Sequence, residues 1–239
     1  MKRMLLFVFL ILCGCGNNTE GKNAGSGNDN AGIFYTDGDK SKKWVALTFD
    51  DGPNPAVSAE IVDVLKNKNV KASFFVLGAK AEIHPQYIKM FIDNGHEIGN
   101  HTYSHKNFYQ LKKIRNSEGL KSIVASELAE NDGIIKKIIS KKPLFIRMPY
   151  GFISSEVKKV AAENGYIIVN WTFGCDWQPM TKEKLIKNYI AHIKPGAILL
   201  FHEKKLTASA LPEIIDEIKG KGYEIVPLRQ ILARKEPPR

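Results

Sequence analysis

The chain has 239 residues, of which 44% are hydrophobic and 25% are charged. This composition is typical of a folded soluble domain, and it excludes a mostly disordered chain, a collagen-like repeat and a disulfide-dense mini-protein. A single long apolar run, at the amino terminus, excludes a polytopic membrane protein. The formal net charge is +10. Such an excess suits a polyanionic partner, although the lysines are scattered along the sequence, as on an ordinary solvated surface.

The first residues are typical of an export signal. A short basic start, Met1–Met4, precedes an unbroken apolar stretch over 5–12, which is too short to cross a bilayer but suits a signal-peptide core. The following Leu12-Cys13-Gly14-Cys15 resembles a bacterial lipoprotein cleavage box. This resemblance implies removal of residues 1–14, acylation of Cys15 and a membrane-anchored protein outside the cytoplasm. An ordinary secretory signal is the alternative.

The remaining sequence predicts one domain between a linker and a tail. Cleavage before Cys15 leaves Cys175 as the one cysteine of the folded part, so no disulfide is expected there. Asn and Gly dominate the residues after Cys15, and we assign 15–42 to a flexible tether. The folded domain is predicted over 43–232, followed by a proline-containing tail over 233–239. We expect a monomer.

From residue 44 onward, short apolar runs alternate with helical patterns. The predicted strands span 44–49, 70–77, 145–147, 166–171, 197–201 and 223–226, with a further apolar segment at Glu97-Ile98. The predicted helices span 56–68, 85–94, 117–140, 154–164, 182–193 and 208–219. The segment 117–140 forms one helix or two, since Asn131-Asp132-Gly133 could interrupt it.

This alternation predicts an α/β fold with a parallel sheet. About seven strands in roughly 190 residues suit an irregular, incomplete (β/α) barrel better than an eightfold one. An open doubly wound sheet is the alternative. In either fold the carboxyl ends of the strands form one rim, where functional sites are built. The polar clusters that follow predicted strands are Thr48-Phe49-Asp50-Asp51-Gly52, His101-Thr102-Tyr103-Ser104-His105, Arg147-Met148-Pro149-Tyr150-Gly151, Asp176-Trp177 and His202.

Two of these clusters predict a catalytic metal site. His101 and His105 are four residues apart, so on one helical turn both imidazoles would face the same way. With one carboxylate they would form a two-histidine, one-carboxylate set that leaves positions open for water. Neighbouring Asp50 and Asp51 would point to different sides of a strand end, so that one binds metal while the other serves as a base. The alternative is that Asp-Gly-Pro merely forms a turn.

In this order the five motifs resemble those of the NodB-type polysaccharide deacetylases, carbohydrate esterase family 4. The resemblance covers about residues 43–231, and Thr-Phe-Asp-Asp-Gly with the downstream His-Thr-x-x-His is its most specific part. It implies a divalent metal, usually zinc and sometimes cobalt or manganese, held by Asp51, His101 and His105. It also implies that Asp50 is the general base.

The resemblance assigns roles to residues of the other three motifs as well. Arg147 corresponds to the arginine that pairs with the base, and the backbone amide of Tyr150 would help to hold the oxyanion. Asp176 would orient His202, the general acid. The pocket for the acetyl methyl group would be lined by Leu200 and Trp177.

Three positions depart from the family pattern. Met148 replaces the first proline of the usual Arg-Pro-Pro-Tyr-Gly, which is a mild change because Met fills apolar space flexibly. The fourth motif, residues 171–177, is shorter than usual and keeps one aspartate, Asp176, which leaves the loop shape and part of the substrate subsite open. Phe201 stands where Leu is common, and it would either narrow the acetyl pocket or face the core.

The predicted reaction is hydrolysis of the N-acetyl group of a β-1,4-linked N-acetylhexosamine. An exported location favours peptidoglycan over chitin oligomers, and O-acetyl removal from xylan is an alternative within the same family. A non-catalytic glycan-binding lipoprotein would be signalled by loss of Asp50, a metal ligand or His202, and none is lost. A metallo-amidase acting on peptide bonds has no evident need for Arg147 and the Asp176–His202 pair. No nucleic-acid partner is expected of an exported chain without a basic-aromatic motif.

Overall fold

The structure is a computed structural model that describes residues 31–233. The predicted signal segment, Cys15 and residues 234–239 of the predicted tail lie outside this range. The strands within it are β1 (Phe34–Tyr35), β2 (Trp44–Gly52), β3 (Ser73–Val76), β4 (Glu97–Asn100), β5 (Phe145–Ile146), β6 (Ile167–Val169), β7 (Ala197–His202) and β8 (Glu224–Ile225). The helices are α1 (Ser58–Asn67), α2 (Gly78–Ile83), α3 (Pro85–Asp93), α4 (Phe108–Ile114), α5 (Ser117–Ile139), α6 (Ser155–Glu163), α7 (Lys182–Ala191), α8 (Lys205–Gly220) and α9 (Leu228–Ile231).

The strands form one sheet in which every strand pair is parallel. Its order is β1-β6-β5-β4-β3-β2-β7, and β8 pairs with the beginning of β2. From β2 to β6 each strand lies beside the one before it, without the reversal that defines a doubly wound sheet. β1 and β7 are the two ends of the order, so the sheet does not close. The predicted incomplete barrel is therefore confirmed.

The seam between β1 and β7 is bridged by the segment that follows β6. The backbone N–H of Thr172 donates to the carbonyl of Ile198 at 2.8 Å, and the Thr172 hydroxyl donates to the carbonyl of Thr36 at 3.0 Å. The carbonyl of Phe173 accepts from the N–H of Leu200 at 2.8 Å. One irregular segment thus holds together the two open edges.

The central strand explains why the domain has an extensive core. β2 lies between β3 and β7, and its residues 45–50 are buried. Parallel strands covered on both faces read as continuous apolar runs, as this one does. Phe49 stacks between Phe74 and Phe201, with ring centroids 5.0 and 5.4 Å away. The strand that ends at the predicted site is therefore firmly fixed.

The folded part begins earlier than predicted. The N–H of Gly32 donates to the carbonyl of Tyr166 at 2.7 Å, and Phe34–Tyr35 pairs with residues 168 and 169 of β6. Assigning residues 31–42 to the tether is therefore wrong. A two-residue strand at the end of a sheet is too short to show a hydrophobic period, so the sequence does not reveal it.

The segment 117–140 forms one helix, α5, without interruption at 131–133. Asn131 is fully buried, and its Nδ2 donates to the carbonyls of Val76 and Thr102 at 2.8 and 2.9 Å. The residue that suggested a helix break is instead a polar anchor between α5 and the sheet. Among the described residues, no helix has the length and apolar character needed to cross a bilayer.

Candidate active site and metal centre

The site begins where β2 ends. Asp51 adopts a left-handed backbone conformation with φ 65°, and the pairing register with β3 shifts between Asp50 and Gly52. Because of this irregularity both carboxylates approach His101: its Nε2 lies 3.8 Å from Asp50 Oδ2 and 3.3 Å from Asp51 Oδ1. The expectation that strand alternation sends the two aspartates to different sides is wrong.

The two predicted histidines lie in a loop and not on a helical turn. Residues 101–107 connect β4 to α4, and Thr102 and His105 adopt left-handed conformations with φ 70° and 57°. The Nε2 atoms of His101 and His105 nevertheless lie 3.3 and 3.2 Å from Asp51 Oδ1. Loop geometry, rather than helical spacing, brings the imidazoles together.

Two residues of α5 anchor this loop, residues 101–107, which we call the histidine loop. Glu127, which is buried, accepts hydrogen bonds from the N–H groups of Tyr103 and Ser104 at 3.1 and 2.8 Å. Asn131, one helical turn later, binds the carbonyl of Thr102. Sequence reasoning missed both anchors. A carboxylate and an amide four residues apart on the apolar side of a helix would have been the signal.

The residues around Asp51 fit a divalent cation. His101 Nδ1 lies 2.6 Å from the carbonyl oxygen of Arg147, and since a carbonyl can only accept, Nδ1 carries a proton; in the neutral ring Nε2 then presents a lone pair. That lone pair faces Asp51 Oδ1, which is buried and has no hydrogen-bond donor among the described residues. One ligand atom each from Asp51, His101 and His105 lies within 4.8 Å of the others. Three converging electron-pair donors of this kind suit a metal such as zinc.

Asp51 is anionic in this setting. Burial raises the pKa of its carboxyl, but the imidazoles of His101 and His105, when protonated at Nε2, lower it by more, to well below its usual range. Asp51 therefore offers a negative charge beside two imidazole rings. A bound metal cation would replace the imidazole protons as the positive partner of this carboxylate.

Arg147 is completely buried beneath Asp50. Its Nη1 donates to Asp50 Oδ1 at 2.7 Å and to Thr48 Oγ1 at 2.9 Å, while Nε and Nη2 donate to the carbonyls of Val169 and Asn170. Burial lowers the pKa of the guanidinium, and the charge of Asp50 opposes that effect. Asp50 is thus held by one oxygen, and its Oδ2 remains on the side of His101.

Asp176 holds His202 at the end of β7. Its carboxylate accepts from the backbone N–H of His202 at 2.6 Å, from the ring Nδ1 at 2.7 Å and from the hydroxyl of Thr207 at 2.7 Å. Burial lowers the pKa of His202, but Asp176 raises it by more. With Nδ1 committed to Asp176, Nε2 faces the metal candidates and lies 3.9 Å from Asp51 Oδ2.

Asp50, His202 and the three metal candidates border one cavity of about 510 Å³. Leu200 is buried in its wall, whereas Tyr150 and Trp177 are 58% and 45% exposed at its edge. The Tyr150 ring meets His105 edge-on at 4.9 Å, and the Trp177 ring meets His202 edge-on at 5.8 Å. The lining residues are Asp50, Asp51, His101, His105, Tyr150, Trp171, Trp177, Leu200, His202 and Lys204. Sequence reasoning did not assign Trp171 or Lys204 to the site.

Two departures from the family pattern lie in the core. Met148 is fully buried, and Phe201 stacks on Tyr189 with centroids 4.2 Å apart, so neither lines the cavity. The short fourth motif still delivers Asp176 to His202. Cys175 is buried 3.8 Å from the Asn188 amide, and burial raises the pKa of its thiol, as for a packing residue.

Residues 37–169 match the family model described as Polysaccharide deacetylase. The chain belongs to the polysaccharide deacetylase family. A peptidoglycan-N-acetylglucosamine deacetylase of Bacillus cereus is 38% identical over 197 residues, which cover 80% of this chain and 69% of that protein. A crystal structure of a peptidoglycan N-acetylglucosamine deacetylase with 4-naphthalen-1-yl-N-oxidanyl-benzamide is similar at TM-score 0.77 and 35% identity, covering 84% of this chain and 92% of the other. The predicted family and enzyme class are confirmed.

Proteins of this fold include one described as a pseudoenzyme, so the fold and the site are separate questions. A family 4 pseudoenzyme from Bacillus anthracis is similar at TM-score 0.77 and 27% identity, covering 85% of this chain and 70% of that one. Likeness of fold alone is therefore compatible with a protein described as a pseudoenzyme. In the present chain Asp50, the three metal candidates and His202 all line one cavity.

Proposed function

We propose that this protein removes the N-acetyl group from β-1,4-linked N-acetylhexosamine in peptidoglycan and releases acetate. One observation carries the proposal: an arginine-held carboxylate and an aspartate-held imidazole border the same cavity as an Asp-His-His group suited to a metal. The B. cereus relative, named as a peptidoglycan-N-acetylglucosamine deacetylase, supports this choice of polymer.

Asp51, His101 and His105 would hold the divalent cation. Two imidazoles and a carboxylate suit zinc, and cobalt or manganese fit the same donors. When bound, the cation supplies a Lewis acid for the amide carbonyl and the attacking water.

Asp50 is the proposed general base. Arg147 occupies its Oδ1 and balances its charge, so Oδ2 is the atom that takes a proton from water. The four hydrogen bonds of the buried guanidinium fix the direction of that carboxylate. The carboxylate is thereby held in one orientation toward the attacking water, and such positioning lowers the entropic part of the reaction barrier.

His202 is the proposed general acid. Asp176 binds Nδ1 and stabilises the imidazolium, so Nε2 carries the proton that the leaving amine receives. The backbone N–H of Tyr150 would help to hold the tetrahedral oxyanion, a contact worth on the order of 3 kcal/mol in such sites. Leu200 would contact the acetyl methyl group, and Trp177 offers an exposed aromatic face to a sugar ring.

The proposed setting is the outside of a membrane. An apolar signal core followed by Leu12-Cys13-Gly14-Cys15 supports export and acylation of Cys15. A lipid anchor there would keep a monomeric enzyme close to newly exposed wall polymer. Mass spectrometry of the mature amino terminus tests this, since an unmodified Cys15 would contradict it.

Acetate release is the direct test of the reaction. Purified protein would be incubated with peptidoglycan, chitin oligomers and acetylated xylan, each with chelator and again after zinc is restored. We expect chelator-sensitive acetate from peptidoglycan and at least about 10²-fold slower release by an Asp50→Asn variant. Acetate release from chitin oligomers alone, or from xylan alone, would assign the protein that substrate in place of peptidoglycan. Bound metal with no acetate from any polymer would favour a glycan-binding protein.

A further inference from the structure

The lysines that are scattered along the sequence converge on one end of the barrel. Seven loops lead into the strands at their amino ends, and we call them the leading loops: 36–43, 68–72, 94–96, 140–144, 164–166, 192–196 and 221–223. They contain nine lysines and two aspartates. Because all strands are parallel, these loops lie together at the end opposite the catalytic rim.

The rim itself has no such excess. The loops that leave β2 to β8, together with the end of β2, carry three basic and four acidic residues: Lys106, Arg147, Lys204, Asp50, Asp51, Asp176 and Glu203. The leading loops therefore have a net charge of +7, or +5 when Glu97 and Glu224 at the starts of β4 and β8 are included, and the rim has about −1. The charge is polarised along the barrel axis.

Most leading-loop lysines are available to a partner. Lys40, Lys68 and Lys142 pair with aspartates of the described chain. The remainder include five exposed lysines that form no ion pair with any described residue: Lys42, Lys43, Lys141, Lys194 and Lys221. Lys141, Lys142 and Arg229 also border a shallow hollow of about 320 Å³ beside Asn164 and Gly165.

The described chain starts at this same end. Gly32 binds the carbonyl of Tyr166, just before β6 begins, and it packs against α6: a Cβ on Gly32 would lie 2.9 Å from Ala162. Any anchor upstream of residue 31 therefore connects to the lysine-rich end. The catalytic cavity opens at the other end.

We propose that the leading loops form a docking surface for a bilayer with anionic phospholipid headgroups. Exposed lysines near such a surface each add to binding, and salt weakens the attraction. Docking by this end holds the barrel upright, with the cavity directed away from the membrane. This orientation adds to the proposed lipid anchor and rests on it for its biological setting. The charge distribution itself does not depend on acylation of Cys15.

The test uses the unacylated chain started at residue 16, which retains every strand and core residue of the described fold. It would be sedimented with vesicles of equal parts phosphatidylglycerol and phosphatidylcholine, and with phosphatidylcholine alone, at low and high salt. We expect binding to the anionic vesicles at low salt. The triple variant Lys141→Gln, Lys194→Gln and Lys221→Gln should bind about 100-fold more weakly and release acetate from soluble substrate as the parent does.

A matched triple separates location from total charge. Lys89, Lys112 and Lys113 lie on α3 and α4, are exposed, and form no ion pair with described residues. Their replacement by Gln should leave vesicle binding near the parent level. Equal losses in both triples, or no binding to anionic vesicles, would overturn the proposal. Binding to soluble poly(glycerol phosphate) at a salt concentration that releases the vesicles would assign the surface to a wall polymer instead.

Discussion

Glu203 occupies the space that a side chain at residue 52 would need. A Cβ built on Gly52 would lie 1.6 Å from Glu203 Oε1. The other oxygen of Glu203 accepts from the N–H of Asn54 at 3.1 Å and from the hydroxyl of Ser58. The residue after the proposed acid therefore clamps the loop after the proposed base and metal ligand.

This contact makes Gly52→Ala a specific probe of the clamp. We expect the substitution to cost about 1–3 kcal/mol in free energy of unfolding, because overpacking displaces Glu203 or the loop. Zinc affinity should fall as well, since Asp51 precedes Gly52. In a Glu203→Ala background the same substitution should cost much less, and urea unfolding of the four proteins gives the coupling energy.

Gly133 provides the control for a glycine substitution. It lies within α5, and a Cβ there would have nothing within 4 Å. Gly133→Ala should be neutral or stabilise by about 0.5–1 kcal/mol, because Ala is the better helix former. Similar losses at Gly52 and Gly133, or a zero coupling energy with Glu203, would show that the clamp is not specific.

Asp50 and Asp51 should separate chemistry from metal binding. Asp50→Asn removes the proposed base, and we expect turnover to fall by about 10²–10⁴-fold while zinc content stays near one per chain. Asp51→Asn removes an electron-pair donor and should lower both. Metal analysis of the dialysed proteins alongside acetate release checks the pair, and the roles are contradicted if Asp50→Asn loses metal while Asp51→Asn keeps it.

Removing Asp176 should move the alkaline limb of the pH–rate profile. Asp176 raises the pKa of His202, so Asp176→Asn should lower that pKa. A general acid is lost as the pH rises through its pKa; activity should therefore decline at lower pH than in the parent. Thr207→Val is the control, since it removes a hydrogen bond to Asp176 but keeps the charge. The profile of kcat/KM decides, and an unchanged limb in Asp176→Asn would argue against His202 as the acid.

The buried, neutral His96 should make the fold less stable in mild acid. Its Nδ1 accepts from the N–H of Ala72 at 3.2 Å, and its Nε2 is buried with no hydrogen-bond partner in the described part of the chain. Burial, with Lys71 nearby, lowers its pKa from 6.5 to about 4. Between these values the unfolded chain binds more protons than the native one, so stability falls as the pH falls.

The size of that effect is measurable against a variant. A shift of this magnitude corresponds to about 3 kcal/mol lost from neutral pH to pH 4. His96→Gln should lack this component, so its unfolding free energy should decline less over the same range. Urea titrations with chelator present throughout make the comparison, and parallel pH dependences would contradict the role given to burial.

Strands and polar clusters could be predicted because burial on both faces leaves continuous apolar runs, as in 44–49. The same rim was expected to hold Asp50, His101, Arg147, Asp176 and His202. Asp50, His101 and His202 line the cavity there, while Arg147 binds Asp50 and Asp176 binds His202 behind it. The local geometry at the rim was not predictable. Left-handed conformations at Asp51 and His105 depend on contacts from distant parts of the chain, which no sequence period records.

The sequence did not reveal the short strand β1 or the α5 residues that anchor the histidine loop, for a related reason. β1 has two residues, and its pairing with β6 joins positions far apart in sequence. Glu127 and Asn131 shape the histidine loop from α5, although neither borders the cavity. Their importance depends on which helix packs under which loop, and this is a property of tertiary structure.

The segment that bridges the open barrel also leads directly to Asp176. Thr172 and Phe173 join the two sheet edges, and three residues later the same segment reaches His202. A chain in which β1 and β7 are not joined would therefore lack a fixed position for Asp176, which holds the proposed proton donor His202. The proposed protonation of a leaving amine would thus require a complete barrel, so loss of the seam contacts should impair deacetylation even where Asp51, His101 and His105 still hold a metal.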